Sequence, residues 1–563
     1  MAGHERWGNQ IEYLLSCLGY AVGIGNIWRF PYLCYRNGGG LYTFWCVLIP
    51  YLLTLFICAI PLVFLETTLG QFASSGCISV FNINPLFKGA GYAVIILNVI
   101  AVTYFAVIMS YPILYIYHSF SSPLPWQDCG NSWNTDKCAE ITSTSSLLFN
   151  GTASTPEDEF FHIRILQMSP SISQIGGVVW PVFWCNVISW IIVYLCICNG
   201  VKSVGKIVYF TVLFPYVVLF ALLIRGTTLP GAWQGILYYV WPDWSQLAKP
   251  KVWADAATQV FFSVGPGWGG LVSMASFNNF HYNYFRSSII IPVINCGTSI
   301  LAGFVVFSVL GFLADRAGVG ISEVASAGPG LAFVTYPAAV AMMPVPNFWA
   351  IVFFVMLFFL GIDTMFVTIE AVIAGILDEF PQLRRRKKLI TFLTCISLFC
   401  LSILCTTEGG LHIISLLDAH VAIASVPLVC GLELIAAVYT YGPRNLADDV
   451  VFMTGAPLNR IWMVLWRYVV PVLLLIITSY SLREATVLGW CVALASVIFI
   501  PVYAVILVLK TKGSFLQRIR INCQPNKLWG PTDPEIRLRW ETLRKKSLVL
   551  EAASDKNTYC VNG

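Results

Sequence analysis

Charged residues are scarce in this chain. They make up 11% of its 563 residues, while 57% are hydrophobic. Ordinary soluble domains are about a quarter charged, so a soluble fold of this length would need far more polar surface. Apolar runs of about 18–25 residues recur instead, each long enough to cross a hydrocarbon core of roughly 30 Å. The composition therefore predicts a membrane protein.

The sequence also lacks the motifs of metal-dependent and nucleotide-dependent enzymes. Its six histidines form no H-E-x-x-H pair, and it has no phosphate-binding loop. Gly265, Gly267 and Gly270 fit the spacing G-x-G-x-x-G, but no strand precedes them and no acidic residue follows about 20 positions later. The formal charge of +5 comes from basic residues scattered over short loops and a tail. We therefore expect neither an enzyme nor a nucleic-acid-binding protein.

Twelve membrane-spanning segments are predicted from length and apolarity. They lie near residues 10–34, 43–65, 87–120, 178–198, 205–225, 253–281, 287–316, 347–378, 388–406, 411–441, 460–481 and 486–510. The transmembrane domain thus covers 10–510, between a short N-terminus, 1–9, and a C-terminal tail, 511–563. We expect the polar N-terminus to hold no cleavable signal peptide and the charged tail to be partly disordered.

Short basic loops predict which side of the membrane each terminus occupies. With twelve spans, one side carries the residues Lys202, Lys206, Arg384, Arg385, Arg386, Lys387, Lys388, Arg444, Lys510 and Lys512. Because cytoplasmic loops are enriched in lysine and arginine, we expect that side and both termini to be cytoplasmic.

A polar, acidic insert, 121–175, then lies outside the cell. It holds Cys129, Cys138 and the glycosylation sequon that begins at Asn150. A disulfide between the two cysteines requires an oxidising, extracytoplasmic side and would contribute about 2–3 kcal/mol. Two free thiols are the alternative. Because the sequon independently requires the outer side, we expect a disulfide and a glycosylated Asn150.

Two predicted spans contain glycine and proline at a density that should unwind a helix. The first holds Gly23 and Gly25, and the sixth reads GPGWGG over 265–270. Unwound backbone within a membrane is tolerated only where it is buried or lines a cavity. Close helix packing through small residues is the alternative for either break alone. Because the breaks occupy corresponding places in two five-helix halves, they predict the binding site of an inverted-repeat transporter.

Polar residues within the spans gather near the two breaks. A charge in the middle of a span costs roughly 2.5–3.5 kcal/mol, so such residues are functional candidates. They are Asn26, Ser263, Asn295, Ser299, Asp363, Thr364, Thr368 and Glu433. Their oxygen atoms, together with freed backbone carbonyls, suit a hard cation such as sodium.

Longer motifs connect the breaks to the rest of the chain. They read RWGNQ at 6–10 and GYAVGIGNIWRFPY at 19–32, with further matches at 38–40, 70–72, 265–269, 295–299 and 361–364. These motifs are similar to those of the neurotransmitter:sodium symporters, and the resemblance covers nearly the whole chain. Segments 273–277 and 328–333 look most like the sodium- and chloride-dependent glycine transporters, followed by carriers of proline and other neutral amino acids.

The resemblance implies an all-α membrane protein of about twelve helices in two five-helix inverted repeats, with helices 1 and 6 unwound. It implies symport of a small neutral amino acid with sodium and chloride across the plasma membrane by alternating access. The implied substrate-binding residues are Ala21, Gly23, Gly25, Tyr104, Phe262, Gly265, Gly267, Trp268 and Thr368.

The resemblance also implies ion sites and gates. The first sodium set is Ala21, Asn26, Ser263 and Asn295, completed by the substrate carboxylate. The second sodium set is Gly19, Val22, Leu360, Asp363 and Thr364. The chloride set is Tyr51, Gln259, Ser263, Asn295 and Ser299, and chloride-independent relatives carry a carboxylate near the Ser299 position. The outer gate would pair Arg29 with Asp418, and the inner gate Arg6 with Asp378, because His4 replaces the usual inner arginine.

Several of these residues have structural alternatives. Tyr104 could be a buried aromatic, Asp363 a paired charge, and Ser299 a hydroxyl bonded to its own helix. Glu433 resembles a position tied to a third sodium in one type of glycine carrier, but monoamine carriers also hold a glutamate there. The sodium count therefore stays open between two and three.

Gly23 decides the predicted substrate class. Monoamine carriers resemble this chain but hold an aspartate there, whereas Gly23 supplies no charge, so the substrate must bring its own carboxylate. Trp268 fills the wall where a substrate side chain would extend, while Gly265 and Gly267 leave some room. The sequence therefore favours glycine, followed by sarcosine, alanine or proline. A non-transporting amino-acid sensor of the same fold is the rival class. The sequence predicts membrane lipids as partners and gives no oligomeric state.

Overall fold

The regular structure of the chain is helical. The computed structural model describes residues 6–37, 44–140, 154–241, 244–321, 330–421, 425–484 and 487–545. Within these ranges β structure is limited to two isolated bridges, at Cys138 with Ser154 and at Val178 with Thr407. His4, the motif at 38–40 and the sequon at Asn150 lie outside the described residues.

Ten helices in the described part of the chain are long and apolar enough to cross a membrane. They are Trp45–Ala73, Pro85–His118, Trp180–Ile197, Val201–Thr227, Phe285–Ala317, Pro346–Glu379, Pro381–Thr406, Gly410–Thr440, Arg460–Tyr480 and Gly489–Lys510. The first and sixth predicted spans are absent from this set because each is divided into shorter helices. With those two included, the chain has the twelve segments predicted, and we number them as spans 1 to 12.

Span 2 is longer than its sequence predicts. The helix continues to Ala73, whereas the apolar run was expected to end at 65, immediately before Glu66. Glu66 is nevertheless fully buried, and its carboxylate accepts a hydrogen bond from a backbone N–H of span 6. A charged side chain therefore did not mark the end of this span, because a neighbouring span supplies its partner.

Span 1 consists of Gln10–Ala21, the single turn Ile24–Ile27, and Arg29–Asn37. Between the first two pieces Gly23 is extended, with φ −113° and ψ −173°. The Gly23 N–H, freed by the break, donates to Asn26 Oδ1 at 3.1 Å. The side chain that follows the break therefore satisfies one of the backbone groups that the break exposes.

Span 6 consists of Pro250–Val264 and Gly270–Ser276. Between them Gly265, Gly267 and Gly269 have φ of +78°, +78° and +72°. This left-handed region costs a residue with a Cβ about 1–2 kcal/mol but is open to glycine. The alternating glycines therefore let the chain leave the helix and re-enter it within five residues of Val264.

Side chains of three neighbouring spans satisfy the freed backbone of span 6. The Tyr20 hydroxyl donates to the Gly265 carbonyl at 3.3 Å. The Gly267 N–H donates to Glu66 Oε1 at 2.5 Å, and Asn98 Nδ2 donates to the Trp268 carbonyl at 2.9 Å. Because an unpaired backbone group in hydrocarbon costs several kcal/mol, these contacts hold the break in place.

The insert between spans 3 and 4 is crosslinked as predicted, by a disulfide between Cys129 and Cys138. Next to it, Glu159 accepts hydrogen bonds from the Thr135 N–H at 2.9 Å and from Asn134 Nδ2 at 3.1 Å. Burial alone would raise the pKa of Glu159, but hydrogen bonds led by that from the Ser154 hydroxyl lower it below its usual value. An ionised Glu159 therefore helps to order this part of the insert.

The C-terminal tail packs against the transmembrane domain. Trp529 and Trp540 place their rings 5.4 and 5.6 Å from that of Phe72, at the end of span 2. Trp540 Nε1 donates to Asp449 Oδ1 at 2.7 Å, in the helix Pro443–Thr454 that follows span 10. Residues 511–545 of the tail thus have defined contacts, and the expectation that the tail 511–563 is partly disordered stays a prediction.

Candidate substrate and ion site

A cavity of about 80 Å³ lies between the two breaks and is bordered by spans 1, 3, 6 and 8. Among the described residues that line it, none is charged. Eight of the nine predicted substrate residues line this cavity: Ala21, Gly23, Gly25, Tyr104, Phe262, Gly265, Trp268 and Thr368. The Thr368 hydroxyl donates to the Thr364 carbonyl at 2.7 Å, so it bonds to its own helix. The cavity is thus small, neutral and centred on the broken helices.

Gly267 is the exception among the predicted substrate residues. Its N–H points to Glu66, and a Cβ built at this position would lie 2.7 Å from the Cys430 sulfur. Gly267 therefore faces spans 2 and 10 and does not line the cavity. The structure therefore places Gly267 apart from the other predicted substrate residues, because alternate residues of the unwound segment face opposite sides.

The roof of the cavity brings the predicted outer gate together. Arg29 Nη1 lies 3.4 Å from both carboxylate oxygens of Asp418. The same guanidinium stacks 4.1 Å from the centre of the Phe262 ring, and the Tyr104 hydroxyl donates to Asp418 Oδ1 at 3.1 Å. An ion pair, a cation–π contact and a tyrosine thus cover the cavity on this side.

The opposite side is closed by different contacts from those predicted. Trp7 Nε1 donates to the Met274 carbonyl at 3.0 Å. Arg6 donates to Asn279 Oδ1 at 3.2 Å, while Asp378 pairs with Arg384 at 2.5 Å. Arg6 and Asp378 are therefore not partners in this conformation, because each has a nearer one.

The first sodium set and the chloride set share one hydrogen-bonded cluster. Asn26 Nδ2 donates to Asn295 Oδ1 and to Ser299 Oγ, both at 2.8 Å. Asn295 Nδ2 donates to Ser263 Oγ at 2.8 Å. These four side chains are all buried, so spans 1, 6 and 7 meet through polar groups alone at this point.

Two members of the predicted chloride set have unsatisfied polar atoms. Gln259 and Tyr51 are fully buried. Neither the two polar atoms of the Gln259 amide nor the Tyr51 hydroxyl has a hydrogen-bond partner among the described residues. Ser263 and Ser299 lie next to the Tyr51 hydroxyl. Unsatisfied buried donors cost about 1–3 kcal/mol each, and the Tyr51 hydroxyl beside two serine hydroxyls, with the Gln259 amide one helical turn before Ser263, fits an anion such as chloride.

The second sodium set gathers oxygen atoms around Thr364. Its hydroxyl oxygen lies 3.4 Å from the Gly19 carbonyl and 3.5 Å from the Leu360 carbonyl. The buried Asp363 carboxylate accepts from the Thr211 hydroxyl at 2.7 Å, and Val22 stands where the first helix piece ends. The Thr364 hydroxyl has a single proton for the carbonyl oxygens around it, and these oxygens together with the Asp363 carboxylate fit a hard cation.

Several contributors to the site were missed by sequence analysis. Ala101 and Phe105 line the cavity. Ala101 lies three residues before Tyr104 and four before Phe105, which places it on one helix face with each of them. That spacing was a usable signal. Ile24, Val102 and Met365 also line the cavity. They are apolar residues in apolar spans, so nothing in the sequence marked them as part of the site. Thr211 likewise had no signal beyond being a polar residue within a span.

A buried acidic cluster lies behind the break of span 6. The ligand atoms of Glu66, Cys430 and Glu433 are all within 4.8 Å of one another. Within the part of the chain that the structure describes, one carboxylate oxygen of each glutamate has no hydrogen-bond partner. The cluster lies outside the cavity lining, and the resemblance of Glu433 to a third sodium position remains a prediction.

A neutral cavity between two unwound helices, with oxygen-rich groups beside it, is the arrangement of an ion-coupled secondary transporter. The family described as the Sodium:neurotransmitter symporter family matches residues 4–511. The chain belongs to this family. It is accordingly a multi-pass membrane transporter that depends on sodium and chloride, and it is not an enzyme.

Named relatives are similar over most of their length. The chain is 42% identical to the sodium- and chloride-dependent glycine transporter 1 of Xenopus laevis, over 94% of this chain and 89% of the relative. It is 39% identical to the sodium- and chloride-dependent glycine transporter 2 of the same species, over 93% of this chain and 72% of the relative. It is 41% identical to the sodium- and chloride-dependent creatine transporter 1 of Bos taurus, over 93% and 86%. Relatives with two different substrates are thus almost equally similar.

Proposed function

We propose that this protein imports glycine across the plasma membrane, driven by sodium and chloride, with both termini in the cytoplasm. The observation that carries the proposal is the small, uncharged cavity next to Gly23. Without a carboxylate from the protein there, the substrate carboxylate completes the first sodium set. This requirement selects a zwitterionic amino acid over an amine.

The size of the cavity favours glycine over creatine. An engineered cavity of about 150 Å³ in another protein binds benzene, and the cavity here is about 80 Å³. Glycine has slightly fewer non-hydrogen atoms than benzene, whereas creatine has far more. Trp268 forms the wall that a larger substrate would have to displace, so creatine would require the wall to move.

The ion roles in this proposal follow the donor sets. Sodium occupies the set around Asn26 and Asn295 and the set around Asp363 and Thr364. Chloride occupies the set around Tyr51 and Gln259, beside the first sodium. Because the first sodium and the chloride share Ser263 and Asn295, each lowers the electrostatic cost of binding the other.

A competition experiment tests the substrate. Cells expressing the protein are given labelled glycine with unlabelled glycine, sarcosine, alanine, proline, betaine or creatine. We expect glycine to compete best and creatine least. Uptake of labelled creatine faster than that of glycine would replace the proposal with the creatine function that one group of relatives suggests.

A variant of the cavity wall sharpens this test. Trp268→Leu should improve transport of alanine or proline relative to glycine by about tenfold or more, since one methylene in an apolar pocket is worth about 1–3 kcal/mol. Trp253→Leu, at an exposed tryptophan early in span 6, is the matched control and should leave the ratio unchanged. Uptake that is absent, or indifferent to sodium, would favour the sensor instead.

A further inference from the structure

The helix Phe515–Asn522 stays close to the membrane boundary. Span 12 ends at Lys510, and this helix begins five residues later. Asn522 Nδ2 donates to Thr511 Oγ1 at 2.9 Å, and Arg518 Nε donates to the Gly513 carbonyl at 2.7 Å. Asn522, at the C-terminal end of the helix, is therefore tied back to the residue that follows span 12, and Arg518 to the short connection between them, so the helix stays next to the end of span 12.

Large apolar side chains of this helix are exposed. Phe515 and Leu516 are 68% and 77% exposed, and Ile521 is 55% exposed. Within the span such exposure is met by lipid tails, but this helix begins beyond the span. Exposed side chains of this size would cost about 1.5–3 kcal/mol each relative to full burial, so an apolar environment is needed for them.

The charge around this helix has a single sign. Lys510, Lys512, Arg518 and Arg520 lie between 510 and 522, and no acidic residue lies among them. Among the described residues none of these four cations forms an ion pair. Apolar side chains flanked by basic residues are typical of helices that lie in the interface of an anionic membrane.

We propose that the helix Phe515–Asn522 is an interfacial anchor that binds anionic phospholipid headgroups of the leaflet beside it. Phe515 and Leu516 enter the boundary between headgroups and acyl chains. Lys510, Lys512 and Arg520 contact the headgroup phosphates and carboxylates, with their aliphatic stems against the apolar layer. Charge complementarity and continuity with span 12 select this occupant. The proposal is independent of the transported substrate.

Hydrogen–deuterium exchange of the full chain in lipid nanodiscs tests the anchor. Nanodiscs of phosphatidylcholine alone are compared with nanodiscs rich in phosphatidylserine, and the exchange of amides 515–522 is measured. We expect slower exchange in the anionic nanodiscs, by about fivefold for each cation that contacts the headgroups. Equal exchange in the two lipid compositions would overturn the proposal.

Matched variants separate anchoring from general tail folding. The double variant Leu516→Ser with Arg520→Gln should reduce the difference between the two lipids by about fivefold or more, because it removes one of the headgroup cations and one of the inserted apolar side chains. The control, Leu538→Ser with Arg539→Gln, changes one exposed leucine and one exposed arginine of the helix at 534–545. It should leave the difference between the two lipids unchanged. If the difference between the two lipids fell equally in both double variants, the helix Phe515–Asn522 would not be a specific anchor.

A soluble headgroup distinguishes a lipid surface from a free ligand. Glycerophosphoserine is added to the protein in phosphatidylcholine nanodiscs, and exchange at 515–522 is measured again. We expect no protection, because the apolar contact requires a membrane. Protection by the soluble compound would show a headgroup pocket in place of a membrane anchor and would overturn the proposal.

Discussion

Asn26 connects three parts of the site through one side chain. Its amide oxygen accepts the freed Gly23 N–H, while its nitrogen contacts Asn295 and Ser299. The break in span 1, the first sodium set and the chloride set therefore share a single amide. In a low-dielectric interior such a network couples its members strongly, so occupancy of either ion site should change the geometry at Gly23.

The cost of polar groups in lipid allowed most of these residues to be predicted from sequence. Asn26, Asn295 and Asp363 stood out because few such groups occur within spans. Tyr20 and Asn98 also lie within spans, but the sequence does not show that their partners are backbone carbonyls of span 6. The φ angles of a break decide which backbone carbonyls it frees, and the spacing of residues in the sequence does not give those angles.

Substitution of Gly23 tests the substrate geometry. Gly23→Asp should abolish glycine uptake, because a second carboxylate would compete with that of the substrate for the first sodium. The new Cβ would also lie 3.0 Å from Thr364 Oγ1. Uptake of labelled glycine is the measurement. Gly297→Ala is the control, because no atom of the described part of the chain lies within 4 Å of its added Cβ. Preserved glycine uptake in Gly23→Asp would contradict the proposed geometry.

Substitution of Ser299 tests the chloride set. Ser299→Glu places a fixed negative charge beside the first sodium set, so glycine uptake should no longer require chloride. Ser299→Ala removes one donor without adding charge and should stay chloride-dependent with weaker chloride affinity. Uptake is measured with gluconate replacing chloride. If Ser299→Glu kept the full chloride requirement, chloride would have to bind elsewhere.

At the scale of elements, the break in span 6 is the feature that organises the site. Its left-handed glycines place Gly265 and Trp268 in the cavity wall and turn Gly267 towards Glu66. The sequence predicted the break from glycine and proline content, but it did not predict which residues face which side. That choice follows from the φ angles of Gly265, Gly267 and Gly269.

A pair of glycine variants separates backbone strain from crowding at this break. In Gly265→Ala the new Cβ would lie 2.6 Å from the Tyr20 ring, at a φ of +78°. Gly318→Ala has a similar φ of +69°, and no atom of the described residues lies within 4 Å of its added Cβ. Both should lose about 1–2 kcal/mol of stability to strain, but only Gly265→Ala should lose at least tenfold in uptake. Equal uptake by the two variants would show that close packing at Gly265 is unimportant.

The contact between the tail and the helix Pro443–Thr454 should depend on pH. Burial raises the pKa of Asp449 to about 7, above its usual value of about 4. The protonated form is therefore favoured when the tail is docked, and docking loses stability as pH rises through about 7. Arg544, over the Tyr441 and Trp540 rings, and Asp448 are the other charged groups facing Asp449.

Hydrogen exchange at 534–545, corrected for the intrinsic effect of pH, measures this dependence. Exchange should be faster at about pH 8 than at about pH 6 as Asp449 ionises. Asp449→Asn keeps the acceptor for Trp540 but does not titrate, so it should remove the difference. A pH dependence that persists in Asp449→Asn would assign the effect to another group.

At the scale of the whole molecule, length and composition were sufficient to predict a membrane protein of about twelve helices. The two segments that fail a length test are the two that were predicted to be broken. The inner contacts and the packed tail could not be predicted, because they depend on which of several basic and aromatic residues reach a partner. Arg6 and Asp378 show this. They are predicted to pair with each other, but Arg6 binds Asn279 and Asp378 binds Arg384.

The gradient that the protein can build follows from its stoichiometry. A tenfold ion gradient is worth about 1.4 kcal/mol, and one charge crossing 100 mV about 2.3 kcal/mol. Two sodium ions and one chloride carry one net charge with a glycine zwitterion, and three sodium ions carry two. The two schemes therefore differ in how far the reversal potential moves with sodium.

The reversal potential of the glycine-evoked current, measured against external sodium and chloride, tests the central claim most directly. Coupling of two sodium ions and one chloride predicts a shift of about 120 mV per tenfold change in sodium and about 60 mV per tenfold change in chloride. Coupling of three sodium ions and one chloride predicts about 90 mV per tenfold change in sodium and about 30 mV per tenfold change in chloride. A current evoked by glycine that shifts with both ions supports sodium- and chloride-coupled glycine transport. The absence of current, or a reversal potential indifferent to either ion, would contradict it.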